Sequence, residues 1–153
     1  AQSYEQNSIL LFQAHRSRSA TQFLMPLDRL FLAMAALLGG TAVAGGAFAS
    51  HALRDQLTEG VLRVFETGIR YQMYHALALL GVALIMQRLE VHSGWLTTAG
   101  WAFTVGTLIF SGSLYVLSLS QVRILGAVTP LGGVALMAGW ACLLVFAWAT
   151  PKV

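Results

Sequence analysis

Charge is scarce in this 153-residue chain. Asp, Glu, Lys and Arg make up 10% of it, against about 25% in ordinary soluble domains. So few charges could not cover the surface of a water-soluble domain of this length, and 57% of the residues are hydrophobic. A soluble globular fold is thereby excluded, and the bilayer becomes the natural solvent. Cysteine is nearly missing too: Cys142 stands alone, so no intramolecular disulfide can form. It lies in an apolar run and reads as a packing residue.

Clustered basic charge is also lacking. The formal charge is +3, but the nine Lys and Arg are spread along the chain and form no patch that could follow a phosphate backbone, so nucleic acid is not an expected partner. No Gly-x-Ser-x-Gly elbow appears, and no glycine-rich string carries the Lys-Ser/Thr of a phosphate loop. The histidines have no grouped cysteines or carboxylates beside them. The chain therefore reads as a non-enzyme with no cofactor.

What is present is four long apolar runs. About 20 apolar residues cross a hydrocarbon core, and the first run, about 30–50, meets that length. Asp28 precedes it as a candidate N-cap, with Arg29 at headgroup level. Small residues recur at four-residue spacing in this run, as Ala36, Gly40, Ala44 and as Ala42, Gly46, Ser50. Such stripes let helix backbones approach closely in lipid, so the first helix is expected to be the buried one. The second run covers about 71–86, with Tyr71 and Tyr74 as interfacial anchors. The third, about 95–119, carries Gly100, Gly106 and Gly112. The fourth, about 129–148, opens on Thr129 and Pro130, where a proline's missing N–H does no harm, and Gly132, Gly133 and Gly139 suit close packing.

Between the first two runs lies a charged stretch. Leu57, Val61, Phe65 and Ile69 fall on one helical face, and Glu59, Arg63, Glu66 and Arg70 on the others. This is an amphipathic helix with two i,i+4 pairs in the favourable Glu-first order, Glu59–Arg63 and Glu66–Arg70. It is too charged to span; it lies at the interface or packs on the helix ends, and it can run on into the second span. The predicted fold is an all-α, four-transmembrane-helix bundle over 26–153, with this amphipathic interfacial helix between the first two spans. Counting Lys and Arg on the two sides gives five against four, so charge does not decide orientation.

Residues 1–25 differ from all that follows. Their Arg/Ser-rich, acid-poor character around Arg16 and Arg18 resembles an organelle targeting peptide. An extension that docks on a partner, or a start upstream of an initiator at Met25, would account for them equally.

Polar side chains at membrane depth are costly and are flags for function. His51 follows the first span and His75 opens the second, so a polar cluster of His51, Arg54, Glu66, Arg70, Tyr71, Gln72 and His75 is expected at one membrane face. The cluster has three readings: side chains and helix-end carbonyls satisfying each other, a metal or pigment ligand site, or a proton or small-solute path. Ser111, Ser113 and Tyr115 in the third span read as interhelical hydrogen-bonding glue. Thr129 and Pro130 read as an ordinary helix start, with a broken transporter-type helix as the alternative. Gly40, Gly46 and Gly133 join them as expected packing positions.

Several strings resemble a known family. Gly45-Gly46-Ala47-Phe48-Ala49-Ser50-His51-Ala52-Leu53 is similar to the first-helix signature of the domain of unknown function 423 family, small integral membrane proteins that include the YgdD-like and transmembrane protein 256-like proteins. Residues 65–78 (Phe-Glu-Thr-Gly-Ile-Arg-Tyr-Gln-Met-Tyr-His-Ala-Leu-Ala), 110–115 (Phe-Ser-Gly-Ser-Leu-Tyr) and 129–133 (Thr-Pro-Leu-Gly-Gly) add to it, in order, with Gly139-Trp140 beyond. Ala49-Ser50 stands where the family has Gly-Ala, and the first 24 residues have no counterpart. The resemblance implies a four-helix integral protein of a bacterial inner membrane, or of an organelle membrane of bacterial origin. It carries over no catalytic residues.

The functional expectation is a non-catalytic accessory, scaffold or assembly subunit, in contact with lipid and with other membrane subunits or its own copies. The alternative is an oligomeric channel or carrier for a small solute or proton.

Overall fold

A proline opens the first helix. Pro26 takes φ −55° and ψ 143°, and its carbonyl accepts the Leu30 N–H at 3.0 Å, starting α1 (Leu27–Phe48). The N-cap position is thus Pro26 and not Asp28. Asp28 sits inside the first turn, where its negative charge complements the positive end of the helix dipole. The structure, a computed structural model, describes residues 25–89 and 93–149. Residues 1–24 of the N-terminal extension, residues 90–92 and residues 150–153, with Lys152, lie outside the described residues.

At Ala49 the α-helical ladder widens into a π-helical segment, Ala49–Leu53, which carries His51. After a turn, α2 runs unbroken over Glu59–Leu89, 31 residues. The amphipathic stretch is therefore the opening of the helix that goes on to span, and no separate interfacial element precedes it. Its Glu59–Arg63 pair forms, at 3.8 Å. The expected Glu66–Arg70 pair does not; the Arg70 guanidinium instead donates to the Thr67 hydroxyl at 3.4 Å.

Helix α3 covers Gly94–Ser120 and ends on Gln121, which adopts the left-handed conformation at φ 59°. The Gln121 N–H donates to the Leu117 carbonyl at 2.9 Å and its side-chain amide to the Ser118 carbonyl at 2.7 Å, closing the helix end. A 3-10 turn, Arg123–Ala127, leads to α4, Thr129–Ala149, with Pro130 as its second residue. This is the ordinary helix start. All four helices are long and apolar enough to cross a membrane, and among the described residues there is no strand.

The helices pack in chain order, α1 on α2, α2 on α3, and α3 on α4. Consequently α2 and α3 are the buried pair and α1 and α4 flank them. The expectation that α1 is the buried helix is overturned. Its inward face is Phe31, Ala35, Leu38 and Ala42, whereas Ala36, Gly40 and Ala44 all face outward. Small residues occupy both faces of this helix, so their spacing alone could not say which face is covered. A methyl built on Gly40 or on Gly46 would meet nothing within 4 Å.

The core forms where large rings fill the gaps left by glycines. Phe31, Leu79, Leu96 and Phe103 are fully enclosed. A Cβ at Gly100 would collide with the Phe31 ring, and one at Gly132 with the Phe110 backbone itself. The α3–α4 contact therefore depends on Gly132; a Cβ at Gly133 would make only ordinary contact with the Phe110 ring, at 3.8 Å. On the outside, Leu37, Leu77, Leu108, Met137 and Trp148 are each more than half exposed. An apolar surface of this kind is what lipid covers and water does not.

Candidate functional site

Helix α2 carries a glutamine into the hydrocarbon layer, and the structure spends every part of that side chain. Gln72 is 7% exposed. Its amide nitrogen donates to the Leu38 carbonyl and to the Thr41 hydroxyl oxygen of α1, both at 2.8 Å. Its amide oxygen accepts the Tyr115 hydroxyl of α3, also at 2.8 Å. Thr41 passes its own hydroxyl hydrogen back to the Leu37 carbonyl at 2.7 Å. Three helices are tied at one point, and the accepting carbonyl of Leu38 fixes which end of the amide faces α1.

A glycine makes this node possible. Gly68 lies one turn before Gln72 on the same face of α2, and a Cβ there would come within 2.7 Å of the Tyr115 ring. The ring rests on the bare backbone, beside Phe65 at 4.9 Å between centroids, and its hydroxyl then reaches Gln72. The Gly68 carbonyl also accepts the Ser111 hydroxyl at 2.8 Å, so the α2–α3 seam is bonded twice within one turn.

His75 forms a second node, one turn further along α2. Its Nδ1 lies 2.8 Å from the Tyr71 carbonyl, and its Nε2 lies 3.2 Å from the Trp140 indole nitrogen of α4. An indole N–H can only donate and a carbonyl can only accept. Both bonds therefore exist together only in the neutral tautomer with the proton on Nδ1. Phe103 and Trp140 flank the imidazole at centroid distances of 5.6 and 6.2 Å, and Tyr71 stacks on Phe110 at 4.6 Å. At the start of α4, the Thr129 and Ser113 hydroxyls are 2.8 Å apart, and Ser113 also reaches the Phe110 carbonyl at 2.9 Å.

The expected seven-residue cluster is thus divided. Gln72 and His75 are buried and bonded to neighbouring helices, whereas Tyr71 is exposed and reaches α3 only by stacking on Phe110. His51, Arg54 and Arg70 are exposed around the α1–α2 connection and Glu66 is half-buried there. No hydrogen bond or ring contact joins His51 to His75. Gln72 instead meets Tyr115, a residue expected only to glue helices. Sequence reasoning passed over Thr41, Gly68 and Trp140. A hydroxyl inside the first apolar run was the available signal for Thr41, and a glycine one turn from Gln72 for Gly68. Among the described residues no group of three or more His, Cys, Asp or Glu side chains could hold a metal ion.

Comparison with known proteins finds relatives named as membrane proteins. The family described as Protein of unknown function (DUF423) matches residues 45–133. That stretch holds Gly68, Gln72, His75, Ser111 and Tyr115 but not Thr41 or Trp140. A UPF0382 membrane protein of Staphylococcus epidermidis is 44% identical over 67 residues, covering 44% of this chain and 55% of the relative. A UPF0382 membrane protein of Staphylococcus aureus strain USA300 is 42% identical over 67 residues, with the same coverage. The matches therefore span about half the length of these curated relatives. No solved structure matches the chain.

Proposed function

Because the chain belongs to the DUF423 family, membrane proteins without an established activity, we propose that it is a non-catalytic accessory or scaffold subunit. It would present a rigid helical surface to other membrane subunits or to its own copies. The observation that supports this reading is how Gln72 is used. Its amide, with the strongest hydrogen-bonding capacity in the interior, is consumed by Leu38, Thr41 and Tyr115. His75 likewise has both ring nitrogens engaged. A side chain occupied in this way holds helices in register and is not free to carry a solute or a proton.

Neither catalysis nor a cofactor belongs to this proposal. Crosslinking in the native membrane, followed by sizing in mild detergent, tests it. The expected result is a complex larger than one chain that holds a reproducible membrane partner or a second copy. A protein recovered only as a lone monomer would contradict the proposal.

A further inference from the structure

The connection between α1 and α2 encloses a cleft of about 500 Å³, lined by Ser50, Arg54, Asp55, Glu59, Arg63 and Glu66, with Leu57 and Leu62 at its apolar wall. A second groove of about 250 Å³ is lined by Gly46, Ala49, Glu66, Ile69 and Arg70. Glu66 belongs to both, so the two follow one another along the α1–α2 seam. Gly46 lies four residues before Ser50, and Ile69 three after Glu66. The groove is therefore about one helical turn nearer the hydrocarbon. The space beside Gly46 is open, with no atom within 4 Å of where a Cβ would be.

The charges in the cleft are mixed and largely unspent. Glu59 and Arg63 pair at 3.8 Å with both side chains mostly in solvent. Among the described residues the side chains of Arg54 and Glu66 make no ion pair or hydrogen bond. The Ser50 hydroxyl donates to the Gly46 carbonyl at 2.6 Å, which leaves its lone pairs open to a donor. The cleft thus offers a guanidinium for an anion and carboxylates with a hydroxyl oxygen for a cation, directly above a groove in which Gly46, Ala49 and Ile69 supply apolar wall beside Glu66 and Arg70.

We propose that this site binds a membrane phospholipid whose headgroup carries both a phosphodiester and a primary ammonium. The phosphate pairs with Arg54, the ammonium with Glu66, Asp55 and Ser50, and an acyl chain follows the groove past Gly46 and Ile69. With Arg63 paired to Glu59 and Arg54 on the phosphate, a purely anionic headgroup would bring no cation to Asp55 and Glu66. A quaternary ammonium has no N–H to donate. A soluble phosphate ester would leave the apolar groove empty. The inference is independent of which protein subunits, if any, the chain joins.

The full chain, reconstituted in nanodiscs with equal parts phosphatidylethanolamine, phosphatidylcholine and phosphatidylglycerol, is released and its retained lipid measured by native mass spectrometry. Phosphatidylethanolamine should be held in preference to the other two. Arg54→Gln and Glu66→Gln should each lower its retention roughly five- to tenfold, the scale of one partly exposed charge-assisted bond. Gly46→Leu, which fills the groove and leaves the charges in place, should lower it as well. The thermal midpoint of each variant, measured in the same discs, should stay at the wild-type value. Equal retention of the three lipids, or retention unchanged in all three variants, would overturn the proposal. So would competition by free phosphoethanolamine at the concentration of the lipid, because the ligand's source would then be soluble.

Discussion

The Tyr115 hydroxyl of α3 donates to the Gln72 amide oxygen of α2 at 2.8 Å, and the same amide donates from its other end to Leu38 and Thr41 of α1. Removing that hydroxyl leaves a buried acceptor with no water to replace it. Tyr115→Phe should therefore destabilise the protein by about 1 kcal/mol, within the range of interhelical bonds measured in lipid. In a Gln72→Leu background the same change should cost much less. A double-mutant cycle read by thermal unfolding in one detergent checks the coupling, and additivity would remove the node from the account.

Two glycines should respond oppositely to one added methyl. At Gly132 the methyl would run into the Phe110 backbone, which cannot move aside as a side chain can. Gly132→Ala should cost roughly 1–3 kcal/mol as overpacking and loosen α4 from α3. At Gly40 there is open space, and Gly40→Ala should be neutral or slightly stabilising through helix propensity. Unfolding midpoints of the two variants, side by side, decide it.

The boundaries of the third and fourth spans are legible in the sequence because hydropathy reports the solvent directly, whereas the second, expected over about 71–86, belongs to a helix that already begins at Glu59. The fourth span was expected over about 129–148 and is Thr129–Ala149; the third was expected over about 95–119 and is Gly94–Ser120. Pairing was not legible. A small-residue stripe gives the same signal whether it meets a helix or lipid, so Ala36, Gly40 and Ala44 were assigned inward although they face out. The polar cluster failed for a related reason. Nearness in sequence to one membrane face grouped His51 with His75, but the rotation of α2 turns Gln72 and His75 inward and leaves Arg70 outside. Tyr115 could join Gln72 only across a helix contact, and that contact depends on Gly68.

Not every buried hydroxyl is bonded. Thr107 Oγ1 is a buried side-chain atom without a hydrogen-bond partner among the described residues, and Thr107 is 1% exposed. Replacing it with the isosteric valine removes an unsatisfied polar group at no cost in volume. Thr107→Val should raise the unfolding midpoint or leave it unchanged. Ser111→Ala, one turn away, deletes the bond to the Gly68 carbonyl and should lower it by the equivalent of about 0.6 kcal/mol.

The imidazole of His75 should be a single tautomer. Nitrogen-15 chemical shifts from selectively labelled protein in bilayers should place the proton on Nδ1, with Nε2 unprotonated and hydrogen-bonded. Trp140→Phe should move the Nε2 resonance toward that of an unbonded ring nitrogen and leave Nδ1 nearly unchanged. A proton found on Nε2 in the wild type would mean that the Trp140 contact is not the bond drawn here.

Four helices that cross the membrane in alternating directions place the Arg54 and Ile124 connections on one side and Arg88 on the other. Single cysteines at these three positions, in a Cys142→Ser background, can be labelled in sealed vesicles with a thiol reagent that does not cross the bilayer. Arg54→Cys and Ile124→Cys should react from the same side, and Arg88→Cys only from the opposite one. Labelling of all three positions from one side would contradict the account.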